Sequence, residues 1–391
     1  MRLTGITIGL GLALLGTAIA FHTIRAGAPS VPKVTLLRTP NQGIQPQTVL
    51  DANGMLHMIY FKGDVSAGDI EYVRRDPSGH GFSEPIRVNS EPGSAVAIGT
   101  VRGPQLSMGR NARAYVIWFG PEAKSGDPTA TMPVFFARLN DSGTAFEPQR
   151  NLMQYARGGD GGVSVAADLR GNVYSVWHAM GAEPGDGNRR VYLAHSADDG
   201  KTFAREIPIS PLALGACGCC GMRAFADKRG NLYVLYRAAA QSIHRDMTLL
   251  VSSDRGSTFR TATVAPWEVN ACPMSTAYLS EGGHRVLAAW EKAGEVYFEQ
   301  IDADSLAVSP PIGAPDDATN RKHPALAANA NGKVLMAWTE GTGWHKGGSL
   351  AWQLFDSAGK PLAAKGSLPG IPAWDLPAVF ADRDGNFTVV Y

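Results

Sequence analysis

One frame recurs along this chain at a fixed internal length. Between Met222 and Tyr236 an apolar alternation runs into an Asp-Lys-Arg-Gly turn ending at Gly230, then into Leu-Tyr-Val-Leu-Tyr. The same separation of 14 positions links Pro46 to Tyr60, Pro104 to Trp118, Val163 to Trp177, Pro324 to Trp338 and Pro377 to Tyr391. A seventh copy ends at Trp290 and carries a longer turn at Glu281-Gly282-Gly283. Gly54, Gly171, Gly230, Gly332 and Gly385 hold matching places in their turns, where a tight reversal between strands favours glycine. Each frame therefore predicts two short antiparallel strands. Third-strand signals follow at Asp69–Arg74, Val134–Leu139, Val191–Ser196, Met247–Ser252, Glu295–Ile301 and Ser349–Phe355, and weaker fourth strands such as Glu84–Asn89 precede the next frame. Four strands in a repeat of about 50 residues is the pattern of a β-propeller blade. No long segment of helical period follows the N-terminus, so an all-β fold is expected.

Seven frames predict a seven-bladed propeller of four-stranded antiparallel blades, with six blades as the alternative. The last frame supplies only two inner strands. The segment Lys33–Thr39 reads as an outer strand with no blade of its own. It is expected to join the last blade and close the ring, because an open propeller leaves bare sheet edges.

The 391 residues suit one large all-β domain. A formal net charge of +1 argues against nucleic acid as a partner, since phosphate-tracking surfaces are strongly basic. Arg2 precedes an uncharged run from Leu3 to Phe21, and Ala18-Ile19-Ala20 fits a small-x-small cleavage site. Residues 1–20 are therefore expected to be a signal peptide or an uncleaved anchor, 21–32 a linker and 33–391 the propeller. Either reading places the domain outside the cytoplasm, periplasmic or secreted, where disulfides are permitted. Any membrane contact would come only through that N-terminal anchor.

Two turns carry a more specific pattern. Ser196-Ala-Asp198-Asp-Gly200-Lys-Thr202-Phe203 and Ser252-Ser-Asp254-Arg-Gly256-Ser-Thr258-Phe259 both fit S-x-D-x-G-x-T-F. This resembles the Asp-box (BNR repeat) of the sialidase superfamily. The acids read as structural: an Asp can bond amides of its own turn, and the Gly supplies a positive φ. The resemblance implies a sialidase-type propeller. It also implies an arginine cluster that clamps a carboxylate, and Arg102, Arg223 and Arg321 each lead into an inner strand. Asp160 and Glu268 are candidate carboxylates for general acid/base work. The family's Arg-Ile-Pro signature is absent, and Ile44-Gln45-Pro46 stands in its place.

Propeller geometry sorts the loops. The turns within each frame and the Asp-containing turns share one face, and the remaining loops share the other, where function is expected. That second face collects Gln45, Arg102, Arg157, Asp160, Cys217 to Arg223, Glu268 to Cys272, Arg321 to His323, Trp374 and Asp375. Other loops add His178, Arg237, His244, Arg245, Trp344 and His345. Arg102, Arg223, Arg245, Arg321 and His323 are the candidate ligand-binding residues.

The four cysteines are Cys217, Cys219, Cys220 and Cys272. Cys220 and Cys272 should lead into adjacent blades near the central axis. Three readings stand. Four cysteines in an exported protein can pair fully, as Cys220 with Cys272 and Cys217 with Cys219. Thiolates with Met222, Met274 or His244 would suit a soft ion, copper or zinc. A redox-active dithiol, its thiolate stabilised by Arg223 or Arg245, is the third. A similar Cys-x-Cys-Cys run with a later Cys-Pro, here Cys272-Pro273, occurs in exported sialidase-like proteins. The leading functional expectation is a ligand- or soft-metal-binding propeller with its site at the axial mouth. A glycoside hydrolase acting on a carboxylated sugar and a protein-interaction scaffold are the alternatives. The partner is then a small molecule, a glycan or a metal ion.

Overall fold

The computed structural model describes residues 32–79, 81–122, 132–241, 243–316 and 320–391. The expected signal peptide or anchor at residues 1–20 lies outside the described residues. Seven β-sheets follow one another along the chain. The innermost strands are Ile44–Leu50, Gln105–Met108, Val163–Ala167, Arg223–Ala226, Ala277–Gly282, Arg321–Ala328 and Ala378–Ala381. Each neighbours the next, and the last meets the first, so the sheets form a closed ring. Helix among the described residues is limited to single 3-10 turns at Pro40–Gln42, Arg110–Ala112 and Asp186–Asn188.

The frames of the sequence are the two inner strands of each blade. Val163 pairs with Trp177 across one hairpin, and Ala277 pairs with Trp290 across another. Gly54, Gly171, Gly230, Gly332 and Gly385 all take φ between 74° and 91°, as the tight reversals require. Third strands run antiparallel outside them, and short fourth strands such as Ile86–Arg87 and Ile207–Pro208 complete the blades. In the fourth blade a two-residue strand, Gly215–Ala216, pairs with the upper end of Leu232–Ala239. This extra pairing anchors the chain just before the cysteine run.

Alternation along each strand builds the core. In Ala114–Phe119 every residue is buried. Ala114, Val116 and Trp118 face the first blade, while Tyr115, Ile117 and Phe119 face the third. Period-two alternation thus feeds two cores at once, which is why these strands read as near-continuous apolar runs. Seven such clusters lie between consecutive blades, and one of them joins Met58 and Tyr60 of the first blade to Ala378 and Val390 of the seventh.

The seventh blade has three strands among the described residues, not four. Val34–Leu37 is its outer strand and runs parallel to Phe387–Val390, with Val34 opposite Phe387 and Leu37 opposite Val390. Thr39 N–H bonds the Tyr391 carbonyl at 2.7 Å, and Tyr391 N–H bonds the Leu37 carbonyl at 3.0 Å. The expected closure of the ring by this early segment is therefore present, with a parallel rather than an antiparallel outer strand. A segment arriving from far along the chain needs no hairpin, so nothing forces it to run antiparallel.

The two Asp-containing turns are internally saturated. Asp254 accepts Thr258 N–H at 2.9 Å and the Thr258 hydroxyl at 2.6 Å, which hold its carboxyl down to about 2. Asp198 does the same with Thr202 at 2.8 and 2.6 Å. Ser196 Oγ accepts Gly200 N–H at 2.9 Å, and Ser252 Oγ accepts Gly256 N–H at 2.8 Å. Each of these acids accepts three bonds from its own turn, which is a structural role.

Candidate functional site

The cysteine run sits where the third, fourth and fifth blades meet on the loop face. Its backbone is fixed from both sides. Cys217 N–H bonds Arg237 O at 2.9 Å, Gly162 N–H bonds Cys220 O at 2.9 Å, and Gly221 N–H bonds Ser275 O at 2.8 Å. The third blade comes close because Gly161 and Gly162 lack side chains. A Cβ on Gly161 would stand 2.5 Å from Gly218 O, and one on Gly162 would stand 2.4 Å from Met222 N. His178 Nε2 lies 3.1 Å from Cys220 O, a group that only accepts, so this nitrogen carries the ring proton. Burial, with Arg189 nearby, pushes His178 down to about 4 and keeps it neutral.

The sulfurs form a chain. Cys219 and Cys272 are joined by a disulfide, with Cα atoms 6.4 Å apart. Cys217 and Cys220 are free thiols, each 1% exposed. Cys220 Sγ lies 3.2 Å from Cys217 Sγ, and Cys217 Sγ lies 3.5 Å from Cys219 Sγ. This corrects the expected pairing of Cys220 with Cys272 and of Cys217 with Cys219. Cys220 N–H bonds Cys217 O at 3.2 Å, a tight turn that brings residues 217 and 220 together. Cys219 is left to reach the fifth blade.

Burial and the contact between the two sulfurs dominate the electrostatics of the free pair, and the cation that acts most on Cys220 is Arg237. Arg237 is 2% exposed and donates to Ser275 Oγ at 2.7 Å, Arg245 O at 2.7 Å and Glu291 O at 2.6 Å. Ser275 Oγ in turn lies 3.5 Å from Cys220 Sγ. Burial opposes a thiolate at Cys220, but the Cys217 thiol, Arg237 and Ser275 outweigh it and draw Cys220 below the ordinary thiol range. Cys217 moves up, because its proton is held against Cys220 and burial disfavours a second charge. Cys220, the thiol drawn down, thus lies beside a second thiol and, through it, a disulfide.

The other sequence candidates are distributed around this centre. Arg223 is sunk in the axial channel, bonded to Gln47 and Gln105, with its guanidinium 4.8 Å from the centre of the Tyr278 ring. His323 sits at the same level; its N–H bonds buried Glu291 at 2.9 Å, and its ring Nδ1 lies 3.4 Å from the same carboxylate. The channel space lined by Arg223, Tyr278, His323 and Met222 is about 30 Å³, roughly one water. Met222 itself is core between the third and fourth blades. Arg245 pairs with Asp186 at 3.4 Å.

Arg102 and Asp160 pair with each other, and Arg102 Nε also donates to Asp160 O at 2.8 Å. They border an off-axis recess of about 520 Å³ with Glu122, Met132, Met180 and Arg189. Arg321 is 2% exposed and taken up by Glu295 at 3.0 Å, Glu340 at 3.4 Å and two carbonyls. Arg223 lines the axial channel, Arg102 lines the off-axis recess, and Arg321 is taken up by its own partners. Glu268 is exposed and lies 3.8 Å from His244. Trp344, His345 and Trp374 form an aromatic group on the loop face, with the two tryptophan rings 4.5 Å apart.

Arg237, expected on a loop of the functional face, is instead a buried strand residue. Its place directly after the apolar run Leu-Tyr-Val-Leu-Tyr marked it as buried. Ser275 and Glu291 carried no signal, because their roles arise only from contacts between blades.

No protein-family model and no curated protein sequence matches the chain. Several solved structures share its fold. A protein of unknown function from Dyadobacter fermentans is 16% identical, with a TM-score of 0.53 over 79% of this chain and 94% of that one. A Hadza microbial sialidase is 15% identical, with a TM-score of 0.52 over 82% of this chain and 73% of that one. The Trypanosoma rangeli sialidase is 11% identical, with a TM-score of 0.50 over 87% of this chain and 56% of that one. At these identities the likeness is one of fold.

Proposed function

We propose that the protein is an exported, sialidase-like Asp-box propeller that binds a soft metal ion, Cu(I) before zinc, at Cys217 and Cys220. The observation that carries this reading is the buried sulfur pair 3.2 Å apart, with Cys219 Sγ 3.5 Å from Cys217. Thiolates select soft ions, and Arg237 and Ser275 favour the deprotonated form that a metal needs. The ion would displace the thiol protons, and the sulfurs would part to accommodate metal–sulfur bonds of about 2.3 Å. The Cys219–Cys272 disulfide supports export to an oxidising compartment. The test is an anaerobic Cu(I) titration against a competing chelator. One ion per chain is expected, lost in Cys217→Ser and in Cys220→Ser. Binding that is absent, or equal in both variants and the native protein, overturns the reading.

A second reading rests on the off-axis recess. Its volume of about 520 Å³ suits a sugar ring, and Arg102, paired with Asp160 on its border, is the kind of cation that binds a carboxylate. The axial channel is too narrow for that task. A fluorogenic sialoside assay tests it. Hydrolysis abolished by Asp160→Asn would support a glycoside hydrolase, and inactivity across carboxylated glycosides would retire it.

A further inference from the structure

We propose that the four sulfurs form a relay that exchanges electrons between the buried dithiol and disulfides outside the protein. Three observations carry it. The sulfurs are contiguous: Cys220 to Cys217 is 3.2 Å, Cys217 to Cys219 is 3.5 Å, and Cys219 is bonded to Cys272. Exposure rises along the chain of atoms, from 1% at Cys217 and Cys220, through half-buried Cys219, to exposed Cys272. The free pair has Cys-x-x-Cys spacing, in a turn already closed by the bond from Cys220 N–H to Cys217 O. A purely structural staple would need only two cysteines. Here a reducing pair lies against the bond it can reduce.

The exchange balances without any added reagent in its internal half. Cys217 passes its proton to Cys220, 3.2 Å away, and attacks Cys219 Sγ, forming a Cys217–Cys219 bond and releasing Cys272 as a thiolate, to which that proton then moves through solvent. Cys220, as thiolate, then attacks Cys217 Sγ, forming Cys217–Cys220 and releasing Cys219. Two electrons have moved from the buried pair to the exposed pair, with protons following to the released sulfurs. In the external half, Cys272 attacks an accessible disulfide R–S–S–R and releases one thiol. Cys219 then attacks Cys272, releases the second thiol and restores Cys219–Cys272. The net reaction oxidises the buried dithiol to a disulfide and reduces one external disulfide to two thiols. The reverse sequence lets an external dithiol recharge the buried pair.

This activity requires no metal, so it is tested with chelator present. Purified protein is incubated anaerobically with a fluorogenic derivative of oxidised glutathione, quenched with an alkylating agent and mapped by mass spectrometry. Wild type is expected to reduce one equivalent of the probe and to end with a Cys217–Cys220 bond. Cys217→Ser and Cys217→Ala should slow probe reduction at least about tenfold, with unfolding midpoints near wild type. Cys220→Ser should stall with a Cys217–Cys219 bond. The proposal is overturned if wild type leaves the probe intact and keeps both buried thiols, or if folded Cys217 variants reduce it at the wild-type rate. A protein that binds Cu(I) but fails here loses the relay alone. One that reduces the probe but binds no Cu(I) loses only the metal reading.

Discussion

Replacing Asp375 with Asn should change how the fold responds to pH by a calculable amount. Asp375 is 2% exposed, where the seventh blade meets the first. Its Oδ1 accepts Gln45 N–H at 2.7 Å and Leu376 N–H at 2.8 Å, and no cation pairs with it among the described residues. Burial pushes its carboxyl up to about 7 against the pull of those two amides. The unfolded chain titrates near 3.9. The folded state therefore holds the proton more tightly. Its stabilising effect is complete below about pH 4 and is lost as pH climbs through about 7. At about 1.4 kcal/mol per unit, roughly 3 kcal/mol of that loss falls between pH 5 and pH 8. Asn keeps the accepting oxygen and does not titrate. Urea unfolding of both proteins across this range should show Asp375→Asn gaining about 3 kcal/mol on wild type from the acid to the alkaline end. Glu299, raised to about 8 by burial, and His178, lowered to about 4, titrate in both proteins and cancel in the difference. A difference that stays flat with pH would refute the reasoning.

Other outcomes follow from the same contacts. Ser196→Ala leaves the Gly200 N–H without its acceptor and should cost about 1–3 kcal/mol, read by urea unfolding, with thiol reactivity unchanged. Arg237→Met removes three buried donors; unfolding should show a loss of about 2–4 kcal/mol, and the thiolate absorbance of Cys220 should titrate at higher pH than in wild type. Deleting residues 33–39 strips the outer strand from the seventh blade and with it bonds such as Thr39 to Tyr391. Light scattering should then report more association, through the bared edge of Phe387–Val390, than for the full chain.

The ring was legible because its physics is local and repeated. The frame from Val163 to Trp177 is one hairpin, and its glycine sits where φ must be positive. The recruitment of Lys33–Thr39 was legible for a different reason: an orphan strand and an incomplete blade require each other. The sulfur pairing was not legible. Cys219 and Cys220 are adjacent, and which one points to Cys272 depends on a turn closed by a single backbone bond. Arg321 leads into an inner strand as Arg102 does, so the two look alike in sequence. Only the fold brings Glu295 and Glu340 to Arg321 and removes it from the mouth. Side chains whose partners lie in a neighbouring blade are set by three-dimensional contact, and the repeat says nothing about them.

The joint between Val34–Leu37 and Phe387–Val390 also orders events in time. Six blades can assemble before the seventh, but the circle stays open until residues near 390 find a strand some 350 residues earlier in the chain. Until that late handshake, the first and seventh blades each show an uncovered flank. The same seam is where a heated or stretched molecule should begin to come apart.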